Sequence, residues 1–230
     1  MISLAIILLS FLNPSIKLNS GKTLSLSGEG PPLLFSSGLF GTMPMFIYSD
    51  FLNKLKNNFT VVKINNNLPL NNNDIEDVVK TLSVENIGYL SHSSFDPRVL
   101  ETDKINNAVL IDPICLPRVD INGLNSQEID INYPVLLLKS GKLYNSTPTI
   151  PEWQEPIFKK EVDEIIYDNV GHPDILDNRW ADLAKTNGFW DTTNGNVQNY
   201  KDWKYNKNSI KKIREEYREF VAEICKEFIL

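Results

Sequence analysis

Histidine and cysteine are the scarcest chemistry in this sequence, with two of each in 230 residues. Cys115 and Cys225 are too few for a disulfide framework or a cysteine-rich zinc site. With only His92 and His172 available, any imidazole general base is one of these two. An excess of positive charge is also missing. Lys and Arg total 23 against 29 Asp and Glu, for a net charge of −6. A clustered basic surface for phosphate backbones is therefore not expected, and nucleic acid is excluded as a partner. Long apolar runs are absent too. The stretch from Ile2 to Leu12 is shorter than the roughly 20 residues that cross a bilayer. It has the length of a signal-peptide core, yet no Lys or Arg precedes it and no A-x-A cleavage site follows. Residues 1–20 are read either as a signal or lipid-associating anchor or as a buried first strand. The first reading places the chain in the secretory pathway or at a membrane through residues 2–12, the second in the cytoplasm. If the chain is secreted, Asn58-Phe59-Thr60 and Asn145-Ser146-Thr147 become glycosylation acceptors. The sequence has no internal repeat and no linker, so residues 21–230 are expected to form a single domain.

Hydrophobic residues make up 42% and charged residues 23%, the balance of an ordinary globular domain. Short apolar runs alternate with amphipathic ones. Strand-like segments fall at Leu33–Phe35, Val61–Ile64, Ile87–Leu90, Ala108–Ile111, Pro134–Leu138 and Glu164–Val170. Helical spacing joins Phe46, Ile47, Phe51, Leu52 and Leu55, and a second helix runs from Asp74 to Leu82. The strands lack polar alternation, as expected when both faces are buried. The fold class is therefore α/β, a mainly parallel sheet with helices on both faces. The longest helix is expected over Ser209–Leu230. Ile210, Ile213, Tyr217, Phe220, Val221, Ile224, Cys225 and Phe228 form its apolar stripe. Lys211, Lys212, Arg214, Glu215, Glu216 and Glu223 fill its polar face.

Strand Ile87–Leu90 runs into Ser91-His92-Ser93-Ser94-Phe95. A serine just past a parallel strand is where a nucleophile elbow sits, with the next backbone N–H facing an oxyanion. The usual elbow has small residues on both flanks; here they are Ser91 and the bulky Phe95. A serine hydroxyl needs a base within hydrogen-bond reach. His92 is adjacent to Ser93 and should point away from it. This leaves His172, in Gly171-His172-Pro173-Asp174, as the base. The acid that orients it is sought after a strand end. Asp112, held rigid before Pro113, is preferred over Glu152, Glu155, Glu161 and Asp163. Asp174 reads as a local cap. The turn Ser36-Ser37-Gly38-Leu39-Phe40-Gly41 can supply a second oxyanion amide, from Leu39, to join that of Ser94.

These segments together resemble the α/β hydrolases, and among them the chlorophyllase-type lipases and esterases, over roughly Pro31 to Leu230. Pro32–Phe40 stands where that family has a strand and a His-Gly turn, with Ser37 in place of the histidine. Ser91-His92-Ser93 matches its Gly-His-Ser, Leu110–Pro113 its Asp-Pro segment, and Gly171-His172 its Gly-His segment. The resemblance implies a Ser93–Asp112–His172 triad, hydrolysis of a small hydrophobic ester, and no metal or organic cofactor. Phe40 and Phe95 are then expected to line the substrate pocket. Phe95 departs from the family's glycine, and only 19 residues separate Ser93 from Asp112, too few for the usual helix after the elbow. An impaired, non-catalytic binding protein of the same fold is the alternative.

Overall fold

The computed structural model describes residues 15–65, 70–115, 118–120, 123–125, 128–141, 155–168, 170–186 and 207–230. Residues 2–12, the acceptor Asn145 and the candidate acid Glu152 lie outside them. Eight strands form one sheet in the order β1-β2-β4-β3-β5-β6-β10-β12. These are β1 (Ile16–Lys17), β2 (Thr23–Ser27), β3 (Pro32–Ser36), β4 (Thr60–Asn65), β5 (Ile87–Phe95), β6 (Ile105–Cys115), β10 (Val135–Ser140) and β12 (Asp163–Tyr167). Five neighbouring pairs from β4 to β12 run parallel. The β1–β2 and β2–β4 pairs are antiparallel. Two short pairs stand apart: β7 (Arg118–Asp120) with β8 (Gly123–Asn125), and β9 (Glu128–Ile129) with β11 (Ile157–Phe158).

Helices cover both faces. On one, α3 (Asn72–Leu82) starts in a reciprocal cap between Asn71 and Asp74 and lays Ile75, Val78, Val79 and Leu82 on the sheet. The capping Asp74 carboxylate also meets Lys22 at 2.5 Å. On the other face, α2 (Ser49–Leu55), α4 (Asn178–Thr186) and α5 (Lys207–Ile229) bury Phe51, Leu52, Ala181, Tyr217, Val221, Cys225 and Ile229 against Leu33, Leu90, Val109 and Leu138. The end of α5 comes so close to β5 that a Cβ on Gly88 would sit 2.7 Å from Ile229 Cγ2. No helix of the described residues is long and apolar enough to cross a membrane.

One feature of α5 departs from the expected stripe. Arg214, assigned to the polar face, is 1% exposed, and Arg218 is fully buried, whereas Ile213 is 37% exposed. The stripe is rotated because Arg214 turns inward to carboxylates. Its Nε donates to Asp174 at 2.8 Å and its Nη1 to Asp182 at 2.6 Å. Burying a guanidinium is tolerable only with such partners. Both cysteines are free and buried. Burial raises the Cys115 thiol to about 12 and pushes Cys225 up as well, so neither is poised as a nucleophile.

Candidate active site

The two longest strands, β5 and β6, run side by side, and their register breaks once near their carboxyl ends. His92 pairs with Ile111 and Ser94 with Ile114, so Ser93 faces Asp112 and Pro113 at the break. Both residues leave ordinary strand geometry there. Ser93 has φ +66° and Asp112 φ +45°. A left-handed serine and aspartate cost backbone energy and persist only where the surroundings dictate them. The turn at β5 therefore has the sharpness expected of an elbow, but no helix follows. The strand continues through Phe95 into a single 3-10 turn at Pro97–Leu100.

His172 arrives from the 3-10 turn His172–Ile175, after β12. Its Nε2 lies 2.9 Å from Ser93 Oγ. Its Nδ1 lies 3.3 Å from Asp112 Oδ2. One buried imidazole thus addresses a hydroxyl and a carboxylate with its two nitrogens. Asp112 is fully buried and well satisfied. Its Oδ1 accepts from the Ser140 amide at 2.6 Å and its Oδ2 from the Ser140 hydroxyl at 2.9 Å. Ser140 went unrecognised in the sequence. The available signal is its place at the end of β10, the strand next to β6.

The loop that carries His172 is held from three sides. The Gly171 amide donates to Asp174 Oδ2 at 2.8 Å, which makes Asp174 the local cap expected of it. Asp174 Oδ1 takes the Arg214 guanidinium. The Asp177 amide donates to the Ile47 carbonyl at 2.8 Å, and the Asp50 amide donates back to Asp177 Oδ1 at 2.8 Å. Burial, the leading cause, raises the Asp177 carboxyl above its usual range. Arg218 Nη1 donates to the Leu176 carbonyl at 2.8 Å.

Across from His172, the short helix α1 (Gly38–Gly41) brings the β3 turn against Ser93. A Cβ on Gly38 would lie 3.0 Å from Met43 Sδ and 3.4 Å from Ser93 Cβ, so a side chain there would crowd the serine. Leu39 takes φ +51° and is 52% exposed. Its amide has no partner among the described residues, while the Gly38 amide donates to Tyr48 Oη at 3.0 Å. Ser94 follows Ser93 in β5 and resumes the pairing with β6. Phe95, expected at the pocket, is 1% exposed and packs in the core cluster beneath α3 with Tyr89 and Leu100. The strand alternation that turns Tyr89 to that face carries Phe95 there too. The side chain of Phe40 lies outside the described ones.

His92 does point away from Ser93, as its position requires, but it does not leave the site. Its ring stacks on that of His172, with centroids 4.5 Å apart. Burial first, then the nearby His172, pushes its imidazole well below the ordinary value. His92, Asp112 and His172 bring potential ligand atoms within 4.8 Å of one another. Both His92 nitrogens are already hydrogen-bonded, to Tyr48 and to the His172 carbonyl. His172 Nε2 is engaged by Ser93. The donor set reads as a hydrogen-bond network, not as a metal cradle.

This architecture has counterparts among solved structures. An epoxide hydrolase of the α/β hydrolase superfamily, from metagenomes of hot environments, matches 76% of this chain and 96% of its own at a TM-score of 0.50 and 9% identity. A proposed acyltransferase from Salmonella enterica matches 76% of this chain and 93% of its own at a TM-score of 0.50 and 12% identity. The chain has an α/β-hydrolase-like fold. No protein-family model and no curated protein matches the sequence. Identities this low speak for the fold alone, and an α/β-hydrolase scaffold hosts many reactions. Function therefore has to be argued from the site.

Proposed function

We propose that the chain is a serine hydrolase of carboxylic esters. The observation that carries this reading is the single His172 ring, set 2.9 Å from the Ser93 hydroxyl and 3.3 Å from the Asp112 carboxylate. Ser93 Oγ attacks the ester carbonyl as His172 Nε2 takes its proton. Asp112, fixed by Ser140, holds the Nδ1 proton and stabilises the imidazolium. The Leu39 and Ser94 amides receive the negative charge on the tetrahedral oxygen. His172 then hands its proton to the departing alcohol, and water releases the acyl group by the same route. The cycle is complete with side chains and water. Exposed Leu39 at the mouth and Met43 behind Gly38 favour an ester with a hydrophobic portion, such as a lipid or chlorophyll-type ester.

Epoxide opening is a second reading, suggested by the fold shared with an epoxide hydrolase. The nucleophile argues against it. Attack of a serine oxygen on an epoxide carbon forms an ether, which water does not cleave under the conditions that release an ester. A serine at this position suits acyl transfer.

Incubation with a fluorophosphonate probe tests the proposal. Ser93 should displace fluoride and be labelled, and Ser93→Ala should lower p-nitrophenyl ester turnover by at least about a thousandfold. Folded protein that resists the probe, or full turnover by Ser93→Ala, would sink the serine assignment. The former result would favour a binding role instead.

A further inference from the structure

Tyr48 and His92 take no direct part in the reaction just described, yet both are buried and hydrogen-bonded between its two halves. The Gly38 amide lies 3.0 Å from Tyr48 Oη. Tyr48 Oη lies 2.8 Å from His92 Nδ1. His92 Nε2 lies 3.1 Å from the His172 carbonyl. The two ends of this chain fix every proton in it. An amide N–H can only donate, so Tyr48 Oη accepts there and spends its own proton on His92 Nδ1. The His172 carbonyl can only accept, so the His92 proton sits on Nε2. The polarity is uninterrupted from the oxyanion turn to the base.

We propose that Tyr48 and His92 are positioning residues that lock the oxyanion turn and the His172 loop into one unit. This rests on the serine-hydrolase reading of the site. Three geometric consequences support it. Tyr48 consumes the Gly38 amide and leaves the Leu39 amide to face the substrate oxygen. His92 tethers the backbone of His172 while its ring, inclined by 27°, limits the tilt of the His172 ring. Tyr48 is itself wedged by edge-on contacts with Phe35 and His92, at 5.1 and 5.6 Å between centroids. The wedge leaves its hydroxyl little freedom to seek another partner. A displacement of the turn is thus transmitted to the base through three bonds and one ring stack.

Tyr48→Phe removes one hydroxyl and leaves the ring. In folded protein, it should slow fluorophosphonate labelling of Ser93 and kcat for a p-nitrophenyl ester by about ten- to a hundredfold, the worth of one buried hydrogen bond, with KM nearly unchanged. His92→Phe keeps a stacking ring but loses both bonds, and should fall at least as far. His92→Gln restores an amide donor near the Nε2 position and should recover part of the loss. The double variant Tyr48→Phe/His92→Phe should be no slower than His92→Phe alone, because the two residues act in one chain. A role confined to core packing predicts lower stability with wild-type labelling rates in all three single variants, and that result overturns the proposal. If those rates are wild-type while Ser93→Ala stays inert, the inference falls and the serine-hydrolase reading stands. If the wild-type protein neither labels nor turns over ester, both fall.

Discussion

Beneath α3, Ile75, Val78, Val79 and Leu82 close over Tyr89, Phe95 and Leu110 in a largely apolar cluster that carries the buried Tyr89 hydroxyl inside it and the Asp74–Lys22 pair at its rim. Across the sheet, α5 sets Arg214 and Arg218 at a depth where they are at most 1% exposed, beside Tyr217, Val221 and Cys225. The first face stores stability in area removed from water, which has no preferred direction. The second uses directional bonds that end on the loop bearing His172. The difference predicts that damage to one face costs stability alone, whereas damage to the other costs stability and alignment together.

The sharpest test of that contrast is Arg214→Ala. Removing the guanidinium strips Asp174 and Asp182 of a buried counter-charge. The expected destabilisation is about 3–5 kcal/mol in a urea melt. Folded protein should also label more slowly at Ser93, because Asp174 holds Gly171 next to His172. Leu82→Ala on the apolar face is the counterpart. It should cost about 2–5 kcal/mol through the cavity it leaves, with the labelling rate per folded molecule unchanged. Equal labelling losses in both variants would erase the distinction between the faces.

The central parallel strands were readable because Leu33–Phe35, Val61–Ile64, Ile87–Leu90, Ala108–Ile111 and Pro134–Leu138 are short apolar runs without alternation, the mark of burial on both sides, whereas their order in the sheet was not legible from such runs. Strand β2, second from the border, escaped notice because Thr23-Leu24-Ser25-Leu26-Ser27 is half polar and pairs antiparallel with both its neighbours, β1 and β4. Ser93, Asp112 and His172 could be picked out because each lies near the carboxyl end of a parallel strand, Ser93 in β5, Asp112 in β6 and His172 after β12, where topology gathers side chains. Arg214 could not, since helical periodicity assigns a guanidinium to the solvent side and says nothing of carboxylates 32 and 40 residues away in sequence. Phe95 misled for a related reason. Its neighbours in sequence suggested a pocket, but strand alternation through the register break decided its face. Ser140 and Tyr48 are single polar residues whose roles exist only once β10 meets β6 and the β3 turn meets β5.

A smaller effect is expected at Ser140. Ser140→Ala removes the hydroxyl bond to Asp112 Oδ2 and keeps the amide bond to Oδ1. Asp112 stays in place but is less firmly aimed. A loss of about 1.5–3 kcal/mol in transition-state stabilisation is the ordinary worth of a hydrogen bond to a charged group. It would appear as reduced kcat/KM for a p-nitrophenyl ester with little change in the urea midpoint. Wild-type kcat/KM would mean that the amide alone suffices to orient Asp112.

The mildest test separates the faces by pH. His92 lies on the α5 side, and burial, followed by the proximity of His172, lowers its imidazole below the ordinary value of 6.5. In the unfolded chain this group takes up a proton as pH falls through about 6.5, while in the folded chain it stays neutral to lower pH. The unfolded state then binds more protons, so stability falls with falling pH in this window and is unaffected by His92 above it. One proton gives a slope of at most about 1.4 kcal/mol per pH unit. His92→Phe removes the proton but leaves the carboxylates and His172 to titrate. In urea melts between pH 7 and pH 5 wild type should therefore lose stability more steeply than His92→Phe as pH drops, so the two converge if the variant starts less stable and diverge if it starts more stable. Leu82→Ala, which removes no titrating group, should run parallel to wild type over the same range. Parallel curves for His92→Phe would mean that its ring takes up a proton as readily folded as unfolded, and the α5 face would lose its distinction as the acid-sensitive side.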